Sequence, residues 1–235
     1  MAPPLEDLAA ALGAPGEIVA CLDRARAAEL QRLATEPISE AERESAGRRL
    51  VRGLFWFLVY ELAPMRWDAL AAVEPVHPDL LRSLSCDGAR VLEVAAGSGR
   101  LSVELASRSR SLLTVEPSAP LRRLLLRRLR GRGWVLAAFA HALPVRDGWA
   151  DVVTACASIG SQPPLGGEAV LGELERCCRP GGVVALIGPE DPRWFEARGY
   201  RRLDFGQLEA PPCDPEVEAF FGPRTPPHEL LLKQL

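Results

Sequence analysis

The sequence predicts an α/β fold: a seven-stranded, mostly parallel sheet with helices on both faces, a terminal antiparallel hairpin and an N-terminal helical extension. Three observations predict it. From residue 90 onward, short apolar runs alternate with stretches of helical periodicity, the pattern of strands joined by crossover helices. Near the end of the chain one strand-like run follows another, which suggests a hairpin. Before residue 90 the apolar residues recur at helical spacing instead.

The elements follow in order. "EIVACLDRARAAELQRLA" is amphipathic, with Ile18, Cys21, Leu22, Ala25 and Leu30 on or near one face. "ISEAERESAGRRLVRGLFWFLVYELAP" reads as a second helix, with Ser39 as N-cap and Pro64 as its stop. Its second half carries Phe55, Trp56, Phe57 and Tyr60. "HPDLLRSL" is a short third helix, and the extension is expected to span 1–85, with the main domain over 86–235. There "RVLEVA" is a buried strand, "RLSVELASR" a helix, "SLLTVE" a strand, and "APLRRLLLRRLRGRG" a helix ending in glycines. "WVLAAFA" and "ADVVTACAS" are the third and fourth strands, "EAVLGELERCCRP" a helix and "GGVVALIGPE" the fifth strand. A short helix, "PRWFEARGY", leads to "RRLDFGQLE" and "HELLLKQL", the last two strands, which are separated by a proline-rich insertion.

Composition narrows the function. The chain has 235 residues, 48% hydrophobic and 25% charged, which suits one α/β domain with an appendage, or at most two small domains. A net charge of −3 gives no reason to expect nucleic acid or an anionic membrane as partner. The arginines of "LRRLLLRRLR" alternate with Leu121, Leu124, Leu125 and Leu129 at helical spacing, so they read as a solvated helix face. "LFWFLVYEL" is shorter than the about 20 residues that a bilayer requires. The start, "MAPPLEDLAAALG", lacks the basic and apolar regions of a signal peptide. The cysteines at 21, 86, 156, 177, 178 and 213 form no C-x-x-C pair and no zinc spacing, so no metal is expected. Cys177 and Cys178 read as core. A cytoplasmic protein with reduced thiols is the expectation.

The stretch that carries chemistry is "VLEVAAGSGR". It runs from strand through a glycine turn into a helix, and Gly97 and Gly99 let a ligand approach the backbone. In such sheets ligands bind at the carboxyl ends of the strands. Glu116 closes the second strand, seventeen residues after Gly99, where a carboxylate can accept both hydrogen bonds of a ribose diol. Glu93 lies four residues before Gly97. There it would repel a pyrophosphate but suits a cationic ligand with an amino group. A dinucleotide fingerprint requires a third glycine where Ser102 stands. Ser102, Glu93 and the terminal hairpin therefore disfavour a nicotinamide-dependent oxidoreductase.

With these residues the chain resembles the class I S-adenosylmethionine-dependent methyltransferases. Their first motif is an acid followed by alternate glycines, here Glu93-Val94-Ala95-Ala96-Gly97-Ser98-Gly99, and their ribose acid corresponds to Glu116 in "VEPSAPLRRLL". "AHALPVRDGWADVVTACAS", "LGELERCCRPGGVVALIGPE" and "WFEARGYRRL" are similar to later motifs of the small-molecule methyltransferases, so the resemblance covers about residues 67 to 235. It implies a Rossmann-like sheet, S-adenosylmethionine as cofactor, and in-line methyl transfer to a small-molecule acceptor. The cofactor-binding residues it implies are Glu93, Ala95, Gly97, Gly99, Glu116, Pro117, Ala140, His141 and Cys156. The segments before the first strand would fold over the cofactor as a lid, with Trp67 and the Phe55–Tyr60 stripe lining an acceptor pocket. That stripe reads equally well as the buried face of a helix.

Two positions depart from the family. Ala95 replaces its first glycine, which is tolerated if φ stays negative there. Phe139 stands where the family places an acid for the adenine amino group, and it can only stack or pack near the ring. Methyl transfer needs positioning more than a fixed base; the candidates for one are His77, Tyr60 and Glu74 from the N-terminal part, and His141. His77, in "VHPDLL", reads as readily as part of a helix cap. A non-catalytic descendant that binds or regulates is the alternative function. The acceptor and the oligomeric state are left open by the sequence.

Overall fold

The computed structural model describes residues 39, 59–61, 63–161, 166–208 and 226–235. The chain divides into two units, Met1–Pro64 and Met65–Leu235. The helix expected from residue 17, most of the one expected from residue 38, and most of the proline-rich insertion lie outside the described residues; residues 59–61 are helical.

Pro64, expected to stop a helix, also opens the next one, α1 (Pro64–Val73), which the sequence reading did not anticipate. Proline suits a first helical position, because the N–H it lacks would have no partner there. The helix escaped notice because its apolar residues do not form a clear stripe: Leu70 and Ala71 are buried, while Met65 is exposed. α2 (Pro78–Ser83) follows; its N-cap is His77, whose Nδ1 accepts a hydrogen bond from the Asp79 N–H at 3.1 Å.

The sheet then builds in the expected rhythm. β1 (Arg90–Val94), α3 (Ser102–Arg108), β2 (Ser111–Val115), α4 (Ala119–Leu129) and β3 (Trp134–Leu136) form one half. β4 (Ala150–Cys156), α5 (Gly167–Cys177), β5 (Cys178–Ile187), α6 (Pro192–Glu196), β6 (Arg201–Asp204) and β7 (Glu229–Gln234) form the other. The strand order is β3-β2-β1-β4-β5-β7-β6. Pairs among β1 to β5 are parallel, while β7 runs antiparallel to both β5 and β6. The expected seven strands and terminal hairpin are thus present, with β7 inserted between β5 and β6.

Side-chain alternation along the strands gives the sheet two apolar faces. Leu92 and Val94 of β1 join Val153, Leu174, Leu186 and Phe195 on one face. Val91 joins Leu105, Leu125, Val152, Ile187 and Leu230 on the other. Each fully buried leucine stabilises the fold by about 1.5–3 kcal/mol. Leu121, Leu124, Leu125 and Leu129 are all buried, as their spacing predicts, and so are Cys177 and Cys178. Burial pushes both of these thiols up to about 11. Among the described residues no helix is long and apolar enough to cross a membrane.

Three strands differ from expectation at their ends, each for a local reason. β3 stops at Leu136 instead of reaching residue 140, because its one partner, β2, ends at Val115 opposite it. β6 stops at Asp204, opposite Glu229 at the start of β7. β5 begins at Cys178, directly after α5, rather than at the glycines. Its register against β4 jumps from Ala150↔Cys178 to Val152↔Val183, so residues 179–182 bulge out. Gly182 makes this possible: a Cβ there would lie 2.8 Å from the Asp151 carbonyl oxygen. The Asp151 carboxylate accepts from the Arg90 N–H at 2.8 Å and from Arg179 Nε at 2.6 Å, which ties the start of β1 to the bulge.

Candidate cofactor site

The chain passes from β1 to β2 and β3 on one side, then returns to β4 on the other. The order therefore reverses at β1, and in sheets of this kind the ligand site lies at the carboxyl ends of the strands that flank the reversal, here β1 and β4. The turn Ala95–Gly99 lies there. Its backbone is closed by the Ala96 N–H on the Val115 carbonyl (3.1 Å) and the Gly99 N–H on the Ala96 carbonyl (3.0 Å). Gly97 and Gly99 have φ of 58° and 96°, which explains both glycines. At Gly99 even the space is lacking, since a Cβ would meet Leu125 Cδ1 at 2.7 Å. The expectation for Ala95 is overturned: its φ is +55°. The turn keeps the left-handed geometry of a glycine at that place, and alanine there costs about 1–2 kcal/mol.

Glu93 continues the Val91 row of β1 and is 2% exposed. The Ser102 hydroxyl donates to its Oε2 at 2.5 Å. Ser102 thus uses the position where a dinucleotide site has its third glycine to hold the buried acid. Burial pushes the Glu93 carboxyl up to about 8; Ser102 and the Arg100 guanidinium pull it back, and Glu116 pushes it further up. The acid is therefore mostly protonated near neutral pH and poised to ionise when a cation approaches.

Glu116 is buried just past β2. Its Oε2 accepts from the Gly97 N–H and its Oε1 from the Ser118 N–H, both at 2.8 Å. The carboxylate thereby fastens the end of the second strand to the glycine turn. Both carboxylate oxygens thus accept from backbone N–H groups. The Arg122 guanidinium binds the carbonyls of Glu116 and Pro117, so this arginine of the supposed solvated face turns back onto the site loop.

The structure joins Glu93, Ala95, Gly97, Gly99, Glu116 and Pro117 around this one turn. Cys156, at the end of β4, and Glu74, just after α1, connect to it through Arg100. The Arg100 side chain forms an ion pair with Glu74 and donates to the Cys156 sulfur at 3.0 Å. Burial raises the Cys156 thiol pKa, so this sulfur stays neutral. The loop after β3 leaves from the Glu116 side, where the Glu116 N–H meets the Leu136 carbonyl at 3.1 Å. In that loop Ala140 is buried, His141 is exposed, and the Phe139 and His141 rings stack at 5.7 Å and 16°. His77 is occupied as the helix cap, and Tyr60 belongs to the other unit.

Sequence reasoning missed Arg100, Asp68 and Arg128. Arg128 donates to the Ser98 carbonyl at 2.9 Å and pairs with Asp68 of α1 at 2.8 Å. Trp67 of α1 lies against the turn; its Nε1 would be 3.2 Å from a Cβ at Gly97. The one available signal was Arg100 itself, a cation directly after the turn. Elsewhere, Asp204, His228 and Glu229 converge across the β6–β7 hairpin, though Glu229 is already paired with Arg202.

Comparison with known proteins agrees with this geometry. A family model described as a methyltransferase domain matches residues 92–186, from β1 to the end of β5. An uncharacterized protein of Mycobacterium tuberculosis is 34% identical over 117 residues, 48% of this chain and 42% of that protein, so this chain spans less than half of that relative's length. The ubiquinone/menaquinone biosynthesis C-methyltransferase UbiE of Rubrivivax gelatinosus is 24% identical over 183 residues, 72% of this chain and 66% of that one. The solved structure of the cyclase SpnF shares the fold, with a TM-score of 0.50 at 15% identity over 66% of this chain and 79% of that one. Residues 92–186 thus match a methyltransferase domain, in line with the resemblance read from the ordered motifs.

Proposed function

We propose that the protein transfers the methyl group of S-adenosylmethionine to a small-molecule acceptor by in-line displacement. One observation carries this reading: two buried carboxyls, Glu93 and Glu116, stand at the carboxyl ends of neighbouring parallel strands with the glycine turn between them. Glu93 receives the ammonium of the cofactor's methionine, and Glu116 receives the ribose hydroxyls. Gly97 and Gly99 admit the ligand to the backbone, with Ala95 and Pro117 shaping the walls. The Ala140 N–H meets adenine, Phe139 and His141 flank the ring, and Cys156 borders the sulfur side.

The displacement needs donor and acceptor aligned and water excluded, which supplies much of the rate. The segment 1–85 is read as a lid for the domain at 86–235; within the Met65–Leu235 unit, Trp67 lies against the turn. Tyr60, Glu74 and His77 remain the candidates for a base where the acceptor arrives protonated; Glu74 is paired with Arg100 and His77 caps α2, and Tyr60 too has a partner. The cytoplasm is the proposed location.

Calorimetry with S-adenosylhomocysteine tests the reading. Binding in the micromolar range is expected; no heat at high micromolar ligand, with folded protein, refutes it. A second reading, a cofactor-binding protein without turnover, draws on Phe139 in place of an acid. Cofactor binding with no methylated product from broad metabolite pools would select it.

A further inference from the structure

We propose that Glu74 is a built-in competitor of the cofactor: its carboxylate on Arg100 fills the subsite that the carboxylate of the cofactor's methionine must take. This rests on the cofactor reading above. The Arg100 and Glu74 side chains are each only 16% exposed, and they form an ion pair above the glycine turn. Arg100 also donates to Cys156 Sγ at 3.0 Å, at the end of the strand that pairs with β1 beside Glu93. An amino acid carries its ammonium and its carboxylate on one carbon, so a site for it needs an acid and a cation side by side. Glu93 and Arg100 are such a pair. In the structure neither faces the other unpartnered: Ser102 holds Glu93, and Glu74 holds Arg100.

The source of Glu74 makes the arrangement a competition. It follows α1, which is fastened over the turn at three points: Trp67 against Gly97, Asp68 on Arg128, and Glu74 on Arg100. The first two involve the space at Gly97 and Arg128, which donates to the Ser98 carbonyl. The third uses the guanidinium of Arg100. An incoming zwitterion exchanges one carboxylate for another on Arg100, and Glu74 must swing out for it. The exchange is close to balanced, because the same charge-assisted contact breaks and forms. Apparent affinity is therefore reduced by the fraction of molecules in which Glu74 holds the subsite.

Two ligands separate this from a structural role: S-adenosylhomocysteine, and 5′-methylthioadenosine, which has the nucleoside and sulfur but no amino-acid end. In calorimetry, Glu74→Gln is expected to bind S-adenosylhomocysteine about ten-fold tighter and methylthioadenosine as the wild type does. Arg100→Gln is expected to lose about ten-fold or more for S-adenosylhomocysteine alone. Should Glu74→Gln fail to fold by circular dichroism, Glu74→Asp, with shorter reach, is expected to tighten binding in the same sense. Tightening confined to the ligand with the amino-acid end supports the proposal. No tightening, or an equal shift for both ligands, overturns it while the cofactor reading stands. A wild type that binds neither ligand overturns both.

Discussion

Replacing Glu93 with glutamine removes a carboxyl that the fold holds in its protonated form. Folding moves its pKa from 4.5 to about 8, chiefly by burial. The native state therefore binds this proton more tightly than the unfolded chain. The stability this contributes is complete below about pH 4.5, declines as pH rises, and is gone above about pH 8. At pH 7 the unfolded chain has released the proton and the native state has not, so stability is lower by about 3 kcal/mol than at the acid limit. Glutamine keeps the shape and can still meet the Ser102 hydroxyl without any charge to bury. Urea unfolding of wild type and Glu93→Gln at pH 5, 6, 7 and 8 reads the difference directly. The variant should gain on the wild type by roughly 3 kcal/mol between pH 5 and 8. A difference that stays constant across that range refutes the buried, protonated acid. The same variant should bind S-adenosylhomocysteine at least about ten-fold more weakly, since the ammonium loses its counter-charge.

Two further outcomes follow from the backbone and from the start of the sheet. Ala95→Gly relieves a left-handed alanine and should stabilise the fold by up to about 1 kcal/mol in urea unfolding, the relief being offset in part by glycine's greater chain entropy. Asp151 is held well below the usual carboxylate range, first by its hydrogen bonds with Arg90 and then by Arg179. Its contribution is present above about pH 4 and is lost as pH falls below that. Asp151→Asn should therefore cost about 1–2 kcal/mol at pH 7 and flatten the acid limb of the stability curve.

What the sequence revealed and what it hid divide along physical lines. The strands were legible because β1, β2, β4 and the second half of β5 are largely buried and read as mostly apolar runs. Their ends were less so, since β3 and β6 stop where a neighbour stops, a property of pairing and not of the segment itself. The glycine turn was legible because its geometry admits few residues. The sign of φ at Ala95 was not, because alanine tolerates that region at a cost that the rest of the turn compels. Glu93 and Glu116 stood out as acids at strand ends. Arg100, Asp68 and Arg128 did not, because their roles come from α1 lying across the turn, and α1 has no apolar stripe to announce it.

The bond from Glu116 to the Gly97 N–H has a consequence for anyone who would retune this domain toward another nucleoside. On the proposed reading, one side chain both receives the sugar and sets the curvature of the neighbouring bend. Editing it to change sugar preference would drag the bend along, and loss of affinity for the rest of the ligand would come with it. Altered selectivity is better sought at Phe139 and His141, whose stacked rings sit on a separate loop and can be exchanged without disturbing that anchor.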